Sequence, residues 1–213
     1  MSRAATTQPL LGANCPAGGI PVGKTGRITQ SWLGDTSALI RPRIGLMVLV
    51  TVFAAIWLTA RPQSPEWLPV TAVLLGTGIV AASSSIANQV LERETDRRMP
   101  RTASRPLAAG RLSPVTGWLI AAGLLAAGVL LVGWAGGIAA AVTWLIYVAV
   151  YTPLKRVTPL NTAVGAVAGG LPVAIGWLAA AGPQRLLAGD ASGTLAAAAL
   201  GTVLYLWQFP HFM

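Results

Sequence analysis

Asn88-Gln89-Val90-Leu91-Glu92-Arg93-Glu94-Thr95-Asp96-Arg97-Arg98-Met99-Pro100-Arg101-Thr102-Ala103-Ser104-Arg105-Pro106-Leu107 breaks into an otherwise apolar chain. These residues hold three of the six acids in the sequence and five of its fifteen basic residues. Asn88, Glu92 and Asp96 stand at i, i+4 and i+8. On a helix each step of four residues drifts by only about 40°, so the three oxygen-bearing groups share one face. Such donors suit a hard cation like Mg²⁺, which is usually held by one or two carboxylates together with phosphate oxygens of a substrate. The arginines downstream suit the same anion, because a guanidinium pairs with phosphate oxygens through parallel hydrogen bonds. A basic loop between apolar helices is also what membrane topology alone produces. Topology does not require carboxylates at helical spacing with an asparagine in register. The stretch therefore reads as a diphosphate site at the mouth of an all-α bundle of membrane helices.

Composition agrees. Hydrophobic residues make up 54% of the 213-residue chain and charged residues 10%, with a mean hydropathy of +0.64. A soluble domain carries roughly 25% charged residues. The net charge of +9 raises nucleic acid as a partner. The basic residues, however, sit in the gaps between apolar runs, which points to the lipid bilayer and to no nucleic acid. A single cysteine, Cys15, allows neither an internal disulfide nor a thiolate metal cluster.

Residues 1–40 are rich in Gly, Pro, Ser and Thr and have no apolar period, so they read as a flexible tail. They lack the continuous apolar core of a signal peptide. Gly18-Gly19-Ile20-Pro21-Val22-Gly23-Lys24-Thr25 matches the P-loop pattern. A working P-loop follows a buried strand and opens a helix, whereas Ala13-Asn14-Cys15-Pro16 precedes this one and Gly26 and Gly34 follow it. A nucleotide site is excluded on that context.

Residues 41–213 form the membrane domain, with six spans expected at 44–60, 67–91, 115–134, 136–151, 162–181 and from 194 onward. Ser83-Ser84-Ser85 either bond back to helix carbonyls or line a polar cavity; both readings are open. Gly165-x-x-x-Gly169 is expected to let helices approach closely, and Pro172 to kink its span. With the N-terminus inside, the inner segments collect every basic residue except Arg61 and Arg185. That bias predicts both termini in the cytoplasm and puts the acidic motif on the same side as Lys155-Arg156.

Asn88-x-x-x-Glu92-x-x-x-Asp96, followed by Met99-x-Arg101-Thr102-x-x-Arg105-Pro106-Leu107, resembles the protohaem IX farnesyltransferases (haem O synthases). These belong to the intramembrane UbiA-type prenyltransferases. The first aspartate-rich motif of that superfamily reads N-D-x-x-D-x-x-x-D. Here Gln89 replaces its first aspartate and Glu92 its second, while Asp96 keeps the third. Tyr151-Thr152-Pro153-Leu154-Lys155-Arg156 and Trp207-Gln208-Phe209-Pro210-His211-Phe212 also resemble the haem branch.

The resemblance implies transfer of farnesyl from farnesyl diphosphate to haem b, in the plasma (inner) membrane, with a link to haem A synthase. Asn88, Glu92 and Asp96 would hold Mg²⁺ and act as the catalytic set. Arg101 and Arg105, with Lys155 and Arg156 in second rank, would bind the diphosphate or a haem propionate. His211, the sole histidine, is either structural at its helix end or a contact to substrate or haem. No c-type haem attachment motif occurs, so haem would be substrate. Members of the resembled family are longer and carry a second aspartate-rich motif soon after the Pro-His-Phe segment. Met213 comes before it, so half a site, in a chain truncated at its C-terminus, is expected. A quinone-type aromatic acceptor would use the same first motif. A non-catalytic transporter or assembly factor is the alternative of another class, although transporters usually bind near the membrane midplane on broken helices.

Overall fold

The computed structural model describes residues 32–61, 65–155 and 157–212. Cys15, the P-loop-like residues 18–25, most of the tail, residues 62–64 and Arg156 lie outside them. Among the described residues the regular elements are all helical. Helix α1, Trp32–Ile40, lies within the stretch read as a tail. Arg41 then adopts a left-handed conformation (φ 51°, ψ 66°), which ends α1, and Pro42, with its fixed φ, starts α2, Pro42–Ala60.

Helix α3, Trp67–Arg97, has 31 residues. At 1.5 Å per residue it is about 46 Å long, well beyond the roughly 30 Å of a hydrocarbon core. The span expected to stop at 91 thus continues through the acidic motif, because no glycine or proline interrupts the chain between Gly78 and Pro100. Helix α4, Pro114–Val132, starts with Pro114 behind Ser113, whose hydroxyl accepts from Thr116 N at 3.0 Å. It ends at Gly133 (φ 88°), and α5, Trp134–Leu145, starts at once. Helix α5 runs into a π-turn, Ile146–Tyr151, and then a short α6, Thr152–Leu154. Helices α7 (Asn161–Ala179), α8 (Gly182–Leu187) and α9 (Ser192–Phe212) complete the described chain.

Five helical stretches are long and apolar enough to cross a membrane: Pro42–Ala60, Trp67–Arg97, Pro114–Val132, Trp134–Leu154 and Asn161–Ala179. The sixth expected span is α9, 21 residues long, whose last turns are diluted by Tyr205, Trp207, Gln208, Pro210 and His211.

Small residues set the packing. A Cβ at Gly76 would lie 2.8 Å from Gly128 O, and one at Gly128 would lie 2.7 Å from Gly76 O, so α3 and α4 meet backbone to backbone. The expected Gly165 and Gly169 contacts are side-chain ones, against the Tyr151 ring and the Gln208 amide. Val52, Ile56, Val70, Val73, Val80, Val132, Ala140 and Ile175 form one core cluster. A second, of Ile86, Ala87, Val90, Leu107, Ala121 and Val148, lies under the acidic motif. Large apolar side chains such as Leu68, Leu119, Leu130 and Leu195 point outward, as a lipid-facing bundle requires. Trp67 and Trp134 are also exposed, and both start helices at the end away from the motif, where an aromatic belt belongs.

Candidate diphosphate site

The last three turns of α3 carry Asn88, Glu92 and Asp96, and all three are buried, at 0%, 8% and 5% exposure. The shared face read from their spacing therefore turns inward. Asn88 Nδ2 donates to Glu92 Oε2 at 2.7 Å. Each carboxylate is also met by a cation from a different segment. Arg105, on the loop after α3, holds Asp96 Oδ2 through Nη1 at 2.7 Å. Lys155, just past α6, pairs with Glu92 Oε1. Thr102 fastens the loop, its hydroxyl donating to Asp96 O at 3.0 Å. Two acids, two cations and one amide thus close into a neutral, mostly buried set.

The π-turn brings Lys155 there. Thr152 N donates back to Tyr147 O across the wide turn, and the Thr152 hydroxyl lies 2.9 Å from Asn88 Oδ1 and 2.9 Å from Tyr147 O. A hydroxyl has one proton. Tyr147 O already receives the Thr152 N–H, whereas Asn88 Oδ1 has no other donor among the described residues. The proton accordingly goes to Asn88, which turns its amide nitrogen to Glu92. Tyr147 and Tyr151 stack at 5.5 Å, and Lys155 Nζ lies 5.9 Å from the Tyr151 ring centroid.

Of the residues expected at the site, the structure brings together Asn88, Glu92, Asp96, Arg105 and Lys155. Arg101 is on the same loop but exposed, with no ion pair among the described residues. Arg156 lies outside the described residues, and so does the side chain of His211, whose backbone belongs to the last turn of α9. For Ser83 and Ser84 the open question is answered against a polar cavity. Ser84 bonds back to Val80 O at 3.0 Å, while Ser83 donates to Ala121 O at 2.7 Å and accepts from Trp144 Nε1 at 2.9 Å, tying α3 to α4 and α5. Sequence reasoning missed Thr152 and the orienting role of its hydroxyl. The only signal was its place in the Tyr-Thr-Pro segment, directly after a wide turn that composition does not announce.

Among the described residues no three His, Cys, Asp or Glu side chains form a metal-holding group. Asn88, Glu92 and Asp96 nonetheless fit Mg²⁺ in donor chemistry. Glu92 and Asp96 offer carboxylate oxygens, which a phosphate oxygen can complement, while Asn88, whose nitrogen faces Glu92 and whose Oδ1 accepts from Thr152, would give its oxygen to a cation only by turning its amide.

Residues 48–213 match the UbiA prenyltransferase family. The chain is 42% identical over 181 residues to protoheme IX farnesyltransferase of Rhodopirellula baltica, an alignment covering 82% of this chain and 59% of that protein. With the enzyme of that name from Geobacter sulfurreducens it shares 40% over 180 residues, 82% and 62% of the two chains. The mitochondrial protein of Gibberella zeae is 35% identical over 200 residues, 83% and 39% of the two. The chain thus spans about three-fifths of the two bacterial relatives it matches. A solved structure of digeranylgeranylglyceryl phosphate synthase in membranes superposes with a TM-score of 0.65 at 17% identity, over 81% of this chain and 60% of that one, and shares the fold. An all-helical, multi-pass membrane bundle with a buried acidic face at one helix end, matched over residues 48–213, belongs to the UbiA prenyltransferase family.

Proposed function

We propose that this chain carries the diphosphate-binding part of a protohaem IX farnesyltransferase. The observation that carries the reading is the buried Asn88–Glu92–Asp96 face with Lys155 and Arg105 laid against its carboxylates. In that arrangement the cations have an alternative partner. When a diphosphate enters, Lys155 and Arg105 can turn from the carboxylates to its oxygens, and Arg101 is free at the surface to add donors. Asn88, Glu92 and Asp96 would then hold Mg²⁺, which when bound neutralises charge on the diphosphate. The lysine and arginines stabilise the negative charge that grows as the farnesyl C1–O bond breaks. The electron pair of that bond leaves with the diphosphate. The farnesyl carbon bonds to a vinyl carbon of haem b, and water adds at the neighbouring carbon with loss of a proton, giving a hydroxyethylfarnesyl side chain. Haem b as acceptor rests on the names of the relatives at 32–44% identity.

The excess of basic residues at the motif end favours a site facing the cytoplasm, with the bundle in the plasma (inner) membrane. The product, haem O, would then pass to haem A synthase. The test uses membranes containing the chain, alone and together with the C-terminal helices of the Geobacter sulfurreducens relative, given haem b, farnesyl diphosphate and Mg²⁺. Mass spectrometry should find farnesylated haem, and chelation of Mg²⁺ should remove it. Prenylation of 4-hydroxybenzoate instead would move the protein to a quinone branch, and no product in either preparation would sink the prenyltransferase reading.

A further inference from the structure

Gln89 stands where the superfamily motif has its first aspartate, one residue from Asn88 and therefore about 100° round the helix from the acidic face. It is fully buried. Its amide nitrogen donates to Ala38 O at 3.1 Å and to Leu39 O at 2.9 Å, two carbonyls at the C-terminal end of α1. Such end carbonyls have no partner within their own helix. A carboxylate at this position has no proton to give them. A second tether ties α1 to the loop after α3: Arg111 holds Asp35 through Nη2 at 2.6 Å and Nε at 3.1 Å, and donates to Ser104 O at 2.8 Å. Leu39 of α1 and Leu112 of the loop also pack on one apolar cluster, around Leu107 and Val90. Ser104 directly precedes Arg105, the partner of Asp96.

We infer that α1 is a clamp on the arginine loop, and that Gln89 is a positioning residue which fastens the clamp and not a ligand of the metal. Fixing α1 at Gln89 and at Asp35 holds the loop in the register that presents Arg105 to the diphosphate. The loop's link to a diphosphate rests on the function proposed above, whereas the clamp itself does not.

The experiment is hydrogen–deuterium exchange on the full chain in lipid nanodiscs, for the parent, Gln89→Leu, Gln89→Glu and Asp35→Asn. The second readout is the Kd for farnesyl diphosphate with Mg²⁺. Each variant should speed exchange both in 32–40 and in 98–112, by about tenfold, and leave α4 and α7 unchanged. Gln89→Glu keeps the size but not the donors, and should behave like Gln89→Leu. The Kd should rise severalfold in all three variants, with the Mg²⁺ concentration for half-maximal binding unaltered. Faster exchange in 32–40 with an unchanged loop would overturn the clamp. Tighter Mg²⁺ dependence in Gln89→Glu would show a metal ligand and overturn the positioning role. A parent that binds no farnesyl diphosphate counts against the proposed function, and the exchange data then decide the clamp by themselves.

Discussion

Asp96→Asn changes the charge of the site and hardly its volume, so it separates a chemical role from a structural one. Asp96 is 5% exposed and its Oδ2 sits 2.7 Å from Arg105 Nη1. A hydrogen bond to a charged group contributes about 1.5–3 kcal/mol and a neutral one about 0.5–1.5. Asparagine keeps an acceptor for Arg105, whose side chain is 22% exposed and able to turn to water. The net loss of stability is then about 1 kcal/mol, or a Tm about 2–4 °C lower for a chain of this size. Removing one group that stabilises developing charge in a dry site costs about 2.7–4 kcal/mol, a fall of roughly 10²–10³ in rate. The assay pairs thermal unfolding in detergent with farnesyl transfer in membranes, normalised to folded protein. A small drop in Tm with a rate still within threefold of the parent would refute the catalytic placement of Asp96. A rate that falls only in step with the folded fraction would do the same.

Three further outcomes follow from the geometry. Thr152→Val should leave Asn88 Oδ1 buried without a donor, lowering stability by about 1–3 kcal/mol and weakening farnesyl diphosphate binding, while Thr152→Ser restores both. Gly128→Leu must push apart the α3 and α4 backbones, where a Cβ would already be 2.7 Å from Gly76 O, and overpacking costs about 1–3 kcal/mol. Gly123→Leu on the same helix, with nothing within 4 Å of its Cβ, should unfold like the parent. At the opposite end of the bundle, Asp190 accepts from Ser192 Oγ at 2.5 Å and Ser192 N at 3.2 Å, which holds its carboxyl below the ordinary value of 3.8. A depressed folded value means that the contribution is present above 3.8 and is lost as pH falls through the lower one. Amide exchange at Ser192, corrected for intrinsic rate, should therefore speed up only in that acid window, and should not respond to pH in Asp190→Asn.

The acidic face was legible because three polar groups at i, i+4 and i+8 declare a helix whichever way it faces. What local pattern could not supply was the partner of each group. Arg105 was within reach of Asp96 by sequence, but Lys155 meets Glu92 only because the chain returns through α4 and α5 and takes a π-turn at the right place. Ile146-Tyr147-Val148-Ala149-Val150-Tyr151 looks like any apolar helix or strand, so nothing in it signals the wide turn. Helix α1 was missed for a similar reason: Gly34 and the polar residues before it mask nine residues whose helical state depends on contacts with α3, an override of local propensity by tertiary packing. The three serines were left undecided since their surroundings, Trp144 and the α4 backbone, come from elsewhere in the chain.

The π-turn has a consequence for how this segment can vary in length. A π-turn holds its backbone bonds from i to i+5 where an α-helix bonds to i+4, so it takes up one residue more than the turn it replaces. Deleting any one residue of Ile146–Tyr151 would let the stretch relax into an ordinary helix, with its backbone bonds intact and its apolar character unchanged. Everything after it would keep its present register, because the turn that takes its place holds one residue fewer. Thr152 would still reach Asn88 and Lys155 would still reach Glu92, whereas straightening the turn with no residue removed would swing both by about 100° while Trp144, on the near side, kept its grip on Ser83. The wide turn is therefore a length buffer: one residue can be lost between Trp144 and Lys155 without parting these contacts, and a one-residue deletion outside it cannot be absorbed in the same way.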